Sequence, residues 1–138
     1  MEKKIIIASH GLLAQGMKNT VEMIVGEPKY PVEALELKFG QHPDDLVKQI
    51  ESEISTNQSI EYDIVVDLYG ASVSTAMFKL TKYPNVKLFS GMNLNLILSL
   101  LLEHDEALDF ENIEQILSDA KSGIKHLEFI VEDINEDF

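Results

Sequence analysis

Apolar residues fall along this chain in two rhythms that take turns. Ile5-Ile6-Ile7-Ala8 is a short, largely β-branched run, unbroken as a strand buried on both faces must be. Leu13, Met17, Val21 and Ile24 follow at helical spacing, and Gly26 is placed to end that helix. Glu33 to Phe39 alternates as a second strand. Pro43-Asp44-Asp45 then opens a helix with the stripe Leu46, Val47, Ile50 and Ile54, the aspartates lying near the positive end of its dipole. Tyr62 to Tyr69 reads as a third strand, followed by a helix carrying Val73, Met77 and Leu80 that Tyr83-Pro84-Asn85 stops. Val86 to Ser90 is a fourth strand. Leu94 to Leu102 is a helix apolar all round, and Asp109 caps a last helix with Ile113, Ile116, Leu117 and Ala120 that ends near Gly123. Leu127 to Val131 is expected as a closing strand.

Strands that alternate with helices predict an α/β fold, an open and mostly parallel sheet with helices on both faces. The 138 residues suit one domain, with a core over 4–103, a C-terminal helix and strand over 109–131 and an acidic tail over 132–138. A helix apolar all round is buried all round, and in so small a chain a second subunit is one way to cover it. A homodimer is therefore expected.

Composition narrows the partners. The formal net charge is −13, which repels phosphate backbones and anionic lipid and leaves a basic protein surface as the better match. Nucleic acid is not expected as a partner. Cysteine is absent, so thiolate chemistry and disulfides are excluded. Three isoleucines after Met1-Glu2-Lys3-Lys4 are too few for a signal sequence, and no apolar run approaches the roughly 20 residues of a membrane span. A cytoplasmic protein without membrane insertion is expected.

Three turns fall where strands give way to helices: Ser9-His10-Gly11, Asp67 through Ser74, and Gly91-Met92-Asn93. Ligands of open α/β sheets bind at that carboxyl edge. If the first and third strands are neighbours, His10 and Asp67 meet there. A carboxylate bonded to one ring nitrogen fixes the tautomer and leaves the other nitrogen as a lone pair, which makes a nucleophile. The Gly70-Ala71-Ser72 turn opens a helix, whose amides and the Ser72 hydroxyl suit an anion. Together these parts suit a phosphohistidine. Other readings stay open: a structural His10–Asp67 bond with Asp67 capping a helix, a non-catalytic acidic module for a basic partner, or a hydrolase using His10 as base without a G-x-S-x-G elbow. His42, His104 and His126 lack metal-ligand spacing and are expected at the surface. No glycine-rich nucleotide cradle is present and neither cofactor nor metal is expected.

The strand ending in Ser9-His10-Gly11, the segment Val65-Val66-Asp67-Leu68-Tyr69-Gly70-Ala71-Ser72 and Gly91-Met92-Asn93-Leu94 occur in an order and spacing that resemble a known family. It is the enzyme IIA domain of the mannose type (mannose, fructose, sorbose) in the bacterial phosphoenolpyruvate-dependent sugar phosphotransferase system, matched over roughly residues 4 to 103. The resemblance implies a homodimer in which an antiparallel C-terminal strand is exchanged. It implies that His10 takes a phosphoryl group from the phosphocarrier protein HPr and passes it to a histidine of a separate IIB component. Asp67 would then orient the ring, and Ser72 with the amides around Gly70, Ala71 and Gly11 would hold the phosphoryl oxygens. The family's turn is often Gly-Gly-Ser-Pro, where this chain has Gly70-Ala71-Ser72-Val73, and Leu68 stands where threonine is frequent. The Gly70-Ala71-Ser72 turn is similar also to the phosphotransfer subunit of dihydroxyacetone kinase, while Gly91-Met92-Asn93 favours sugar transport.

Overall fold

The computed structural model describes residues 2–129. Four strands, β1 (Glu2–His10), β2 (Val32–Leu37), β3 (Ile60–Val66) and β4 (Val86–Phe89), form one sheet in the order β2-β1-β3-β4, and every pair is parallel. Five helices alternate with them: α1 (Leu13–Val25), α2 (Asp44–Thr56), α3 (Ser72–Met77), α4 (Leu94–Leu102) and α5 (Phe110–Ser122), with a 3₁₀ turn over Phe78–Lys82. The expected fold class is the observed one.

Two hydrophobic cores lie on the two faces of the sheet. Ile6, Ala8, Ile64 and Val66 point to one, against Leu46, Ile50 and Ile54 of α2 and Val73 and Met77 of α3. Ile5, Ile7, Val65 and Phe89 point to the other, against Val21, Ile97, Leu100 and Ile116. Each fully buried isoleucine contributes about 1.5–3 kcal/mol relative to exposure. The continuous apolar run of β1 follows from its central position, where both faces are covered.

Three readings shift. In α1 the buried face is Ala14 and Val21, with Met17 and Val25 half-buried, while Leu13 and Ile24 stand exposed. The helix is rotated from the expected stripe because Ala14 has the small side chain that lets it lie close to the sheet. Helix α4 buries Leu96, Ile97, Leu100 and Leu101 against α5 and α1 of the same chain, but it is not buried all round, since Leu102 stands exposed. In the closing strand, Leu127 to Phe129 form no regular structure, and Ile130 and Val131 lie outside the described residues.

The topology positions the site. From β1 the chain moves outward to β2 and then returns to β3 on the other side, so the loops after β1 and β3 diverge at a switch point. Register pairs His10 with Leu37 on one flank and Ala8 with Val66 on the other. The turn after β3 therefore rises beside the end of β1.

Candidate active site

His10 is the last residue of β1, and Gly11 reverses the chain after it with φ +55°, a conformation that favours glycine. Ser9, fully buried, ties the turn together: its Oγ accepts the Ala14 N–H at 2.8 Å and donates to the Gly11 carbonyl at 3.4 Å. The Gly11 N–H donates to the Leu37 carbonyl at 2.9 Å. These bonds fix the residues on either side of His10.

Asp67 follows β3 directly and meets His10 twice. Its Oδ2 accepts the His10 backbone N–H at 2.8 Å and lies 2.7 Å from the ring Nδ1; its Oδ1 accepts the Leu68 N–H at 2.8 Å. Partial burial opposes the charged form, but these donors outweigh it and hold the carboxyl below its usual value. Asp67 is thus a carboxylate at neutral pH, its side chain only 11% exposed. With Nδ1 donating to it, the ring presents Nε2 as the lone-pair nitrogen, 3.0 Å from Ser72 Oγ. The imidazole side chain is 50% exposed, so a reactant has access.

The turn from Asp67 to Ser72 works through Gly70, whose φ of +78° lets the chain double back so that Ser72 faces the histidine. The Ala71 N–H donates to the Leu68 carbonyl at 3.2 Å, closing that turn. The amides of Ala71 and Gly11 are therefore committed inside the fold, whereas the Ser72 hydroxyl points at the ring. The third turn, Gly91-Met92-Asn93, braces the second: the Met92 N–H is shared between the Val66 and Asp67 carbonyls at 3.2 and 3.3 Å.

His42 and His126 are exposed, at 72% and 82% of their side chains. His104 departs from expectation: it is half-buried, with a buried Nε2 that has no hydrogen-bond partner. Among the described residues no group of three or more histidine and acidic side chains is arranged to hold a metal, and no helix is long and apolar enough to cross a membrane.

A feature missed in the sequence surrounds the histidine. Leu12, Phe39, Leu68 and Tyr69 are all largely exposed, and Leu12 and Phe39 flank His10 in an open cleft of about 620 Å³. Large apolar side chains in turns, outside any periodic stripe, were the available signal. Exposed singly they need no explanation; gathered around a reactive group they form a surface a macromolecule can cover.

The model of the family described as the PTS system fructose IIA component, EIIA-man, matches residues 4–117. The chain belongs to this mannose-type enzyme IIA family. A solved chain from Klebsiella pneumoniae, assigned to a phosphoenolpyruvate-dependent sugar phosphotransferase system permease, is 30% identical, with a TM-score of 0.77 and 91% of each chain covered. The EIIA component from Streptococcus agalactiae superposes with a TM-score of 0.78 at 23% identity, covering 90% of this chain and 96% of that one. The mannose/sorbose-specific IIA subunit from Enterococcus faecalis gives 0.76 at 22%, covering 94% and 98%. At those identities the latter two speak to fold. No curated protein gives a significant match. As an enzyme IIA of this family the chain is a phosphotransferase component of a sugar phosphotransferase system.

Proposed function

We propose that His10 is the phosphoryl carrier: it accepts a phosphoryl group from the phosphocarrier protein HPr and passes it to a histidine of a IIB component for sugar uptake. The observation that carries this reading is the pair of bonds to the ring, Nδ1 to Asp67 Oδ2 at 2.7 Å and Nε2 to Ser72 Oγ at 3.0 Å. Asp67 keeps the proton on Nδ1, so the Nε2 lone pair forms the new P–N bond as the bond between phosphorus and the donor breaks. The carboxylate also stabilises the positive charge that grows on the ring during attack. The Ser72 hydroxyl turns from Nε2 to a phosphoryl oxygen, with the Gly70 amide as a second donor. Gly11 and Ala71 act by shaping the two turns, since their own amides are engaged elsewhere. The second transfer reverses these steps toward the IIB histidine. No metal and no nucleotide is needed in either.

The apolar surface around His10 supports a protein donor and acceptor over a small molecule. The reading includes a homodimer. Among the described residues strand β4 is paired on one side only, and a cavity of about 330 Å³ along it, lined by Val86, Leu88, Phe89, Ile113 and Leu117, offers a place for a C-terminal strand from a second copy. Incubation with phosphoenolpyruvate, enzyme I and HPr tests the relay. An acid-labile, base-stable phosphoryl group on His10 that moves to added IIB is the expected result; an unmodified His10 contradicts it.

A further inference from the structure

At the opposite, amino edge of the sheet lies a buried charge cluster that the relay does not use. Lys3 of β1 is paired in register with Glu61 of β3, and Asp63 follows two residues on, facing the same side. The three side chains are 0%, 4% and 0% exposed. The Lys3 Nζ lies 3.6 Å from Glu61 Oε2 and 3.5 Å from Asp63 Oδ2, and it donates to the His104 carbonyl at 2.8 Å. Glu61 Oε1 accepts the Leu108 N–H at 3.0 Å. Two of the connections that hold the α4–α5 link therefore start from this cluster. The Lys29 ammonium and the Tyr30 hydroxyl hold Asp105 in the same link, each at 2.8 Å.

Two carboxylates share one ammonium here. Were all three charged, the cluster would hold an uncompensated buried negative charge, which costs several kcal/mol. A proton on one carboxyl removes it. Glu61 has a backbone donor, whereas neither oxygen of Asp63 has a hydrogen-bond partner, so Asp63 is the group left to take the proton. Other charged or titratable groups nearby are His104 and Asp105 in the link, Lys29 and Tyr30 before β2, and Lys87, the register neighbour of Asp63 on β4. Lys87 is half-buried and forms no ion pair among the described residues, so it leaves the count unchanged.

We propose that Asp63 is the neutral, proton-bearing member of this cluster and that its ionisation loosens the α4–α5 link, making the cluster a proton-operated latch on α5. With the proton in place the cluster is neutral overall and Lys3 is free to serve the His104 carbonyl. When the proton leaves, two anions compete for one ammonium, and the bonds from Lys3 to His104 and from Glu61 to Leu108 weaken. Burial, followed by the Glu61 charge, pushes the Asp63 carboxyl up to about 8, outweighing Lys3, which places the change just above neutral pH. Helix α5 also reaches the other edge, where Asn93 at the start of α4 donates to the Ala120 carbonyl at 3.3 Å. One element thus touches both the latch and the brace beneath Asp67.

Amide hydrogen exchange of the full-length protein between pH 6 and pH 9, corrected for the intrinsic rate, tests the latch. In the wild type, protection of Leu108 and the first turn of α5 is expected to fall severalfold across that range, while β1 keeps its protection. The Asp63→Asn variant keeps the side-chain shape without a titrating proton, and its protection is expected to stay level. A wild-type profile flat with pH, or an unchanged fall in Asp63→Asn, overturns the proposal. If Asp63→Asn does not fold, the ¹³C carboxyl shift of Asp63 in the wild type decides: a midpoint near the ordinary aspartate value contradicts it. Neither measurement involves phosphoryl transfer, so the latch and the relay stand or fall separately.

Discussion

Asp67 and Asp63 lie four residues apart, one just past the end and the other in the middle of β3, and their carboxyl groups are driven in opposite directions. Asp67 receives two donors from His10 and one from Leu68, and its carboxyl falls below the ordinary value. Asp63 is fully buried with no hydrogen-bond donor on either oxygen and beside a second carboxylate, and it rises to about 8. The difference lies in the number of donors and the sign of the nearest charge, since the residue type is the same. One edge of the sheet keeps a charge where water and reactants can reach; the other keeps a charge out.

If the two edges are specialised in this way, substitutions at the carboxyl edge should cost activity with little stability, and those at the amino edge the reverse. His10→Ala is expected to abolish phosphoryl uptake in the enzyme I and HPr assay while the unfolding midpoint moves little, because the side chain is half in water. Any residual uptake onto the chain would break the comparison. Asp67→Asn leaves the ring without its anchor, and transfer should slow by about 10²–10⁴-fold. Lys3→Met should cost about 3–5 kcal/mol in urea unfolding, as a buried partner is removed from charged neighbours, with transfer intact in whatever fraction folds. Ser72→Ala removes one hydroxyl from the phosphoryl group and should slow transfer by about tenfold, the equivalent of one hydrogen bond.

The smallest expected effects are in pH profiles. Asp67 has a lowered folded value, so its contribution to stability is present above the unfolded carboxyl value and is lost as pH falls through the lower folded one. Asp67→Asn should therefore flatten the acid limb of stability below about pH 4. Asp63 has a raised value, so its sign is opposite. Its contribution is full below the unfolded value of 3.8 and is lost as pH rises to about 8. Thermal unfolding of Asp63→Asn should lack that decline and exceed the wild type by roughly 5 °C at pH 9. Equal slopes for variant and wild type would remove the contrast between the two edges.

The carboxyl edge was far more legible in the sequence than the amino edge. Ile5-Ile6-Ile7 and Tyr62-Asp63-Ile64-Val65-Val66 announce central strands, and a histidine and an aspartate just past such strands point to the switch point of a parallel sheet. Burial of Leu46, Val47, Ile50 and Ile54 followed from periodicity alone. Lys3, Glu61 and Asp63 gave no such signal, because a strand end rich in charge reads as solvated until the α4–α5 link is seen to cover it. The rotation of α1 escaped for a related reason: Leu13 and Ile24 outrank Ala14 in hydrophobicity, but the close approach of the helix favours the smaller side chain. The apolar surround of α4 was visible, yet a chain of letters does not say whether the cover is α5 or another molecule.

The relay rests on which ring nitrogen is left free. Nuclear magnetic resonance of protein labelled with ¹⁵N at histidine, phosphorylated by phosphoenolpyruvate, enzyme I and HPr, reads this directly through coupling of phosphorus to nitrogen. The expected result is phosphorus on Nε2 of His10, with the proton still on Nδ1 beside Asp67. Phosphorus on Nδ1, or on any residue other than His10, would contradict the account.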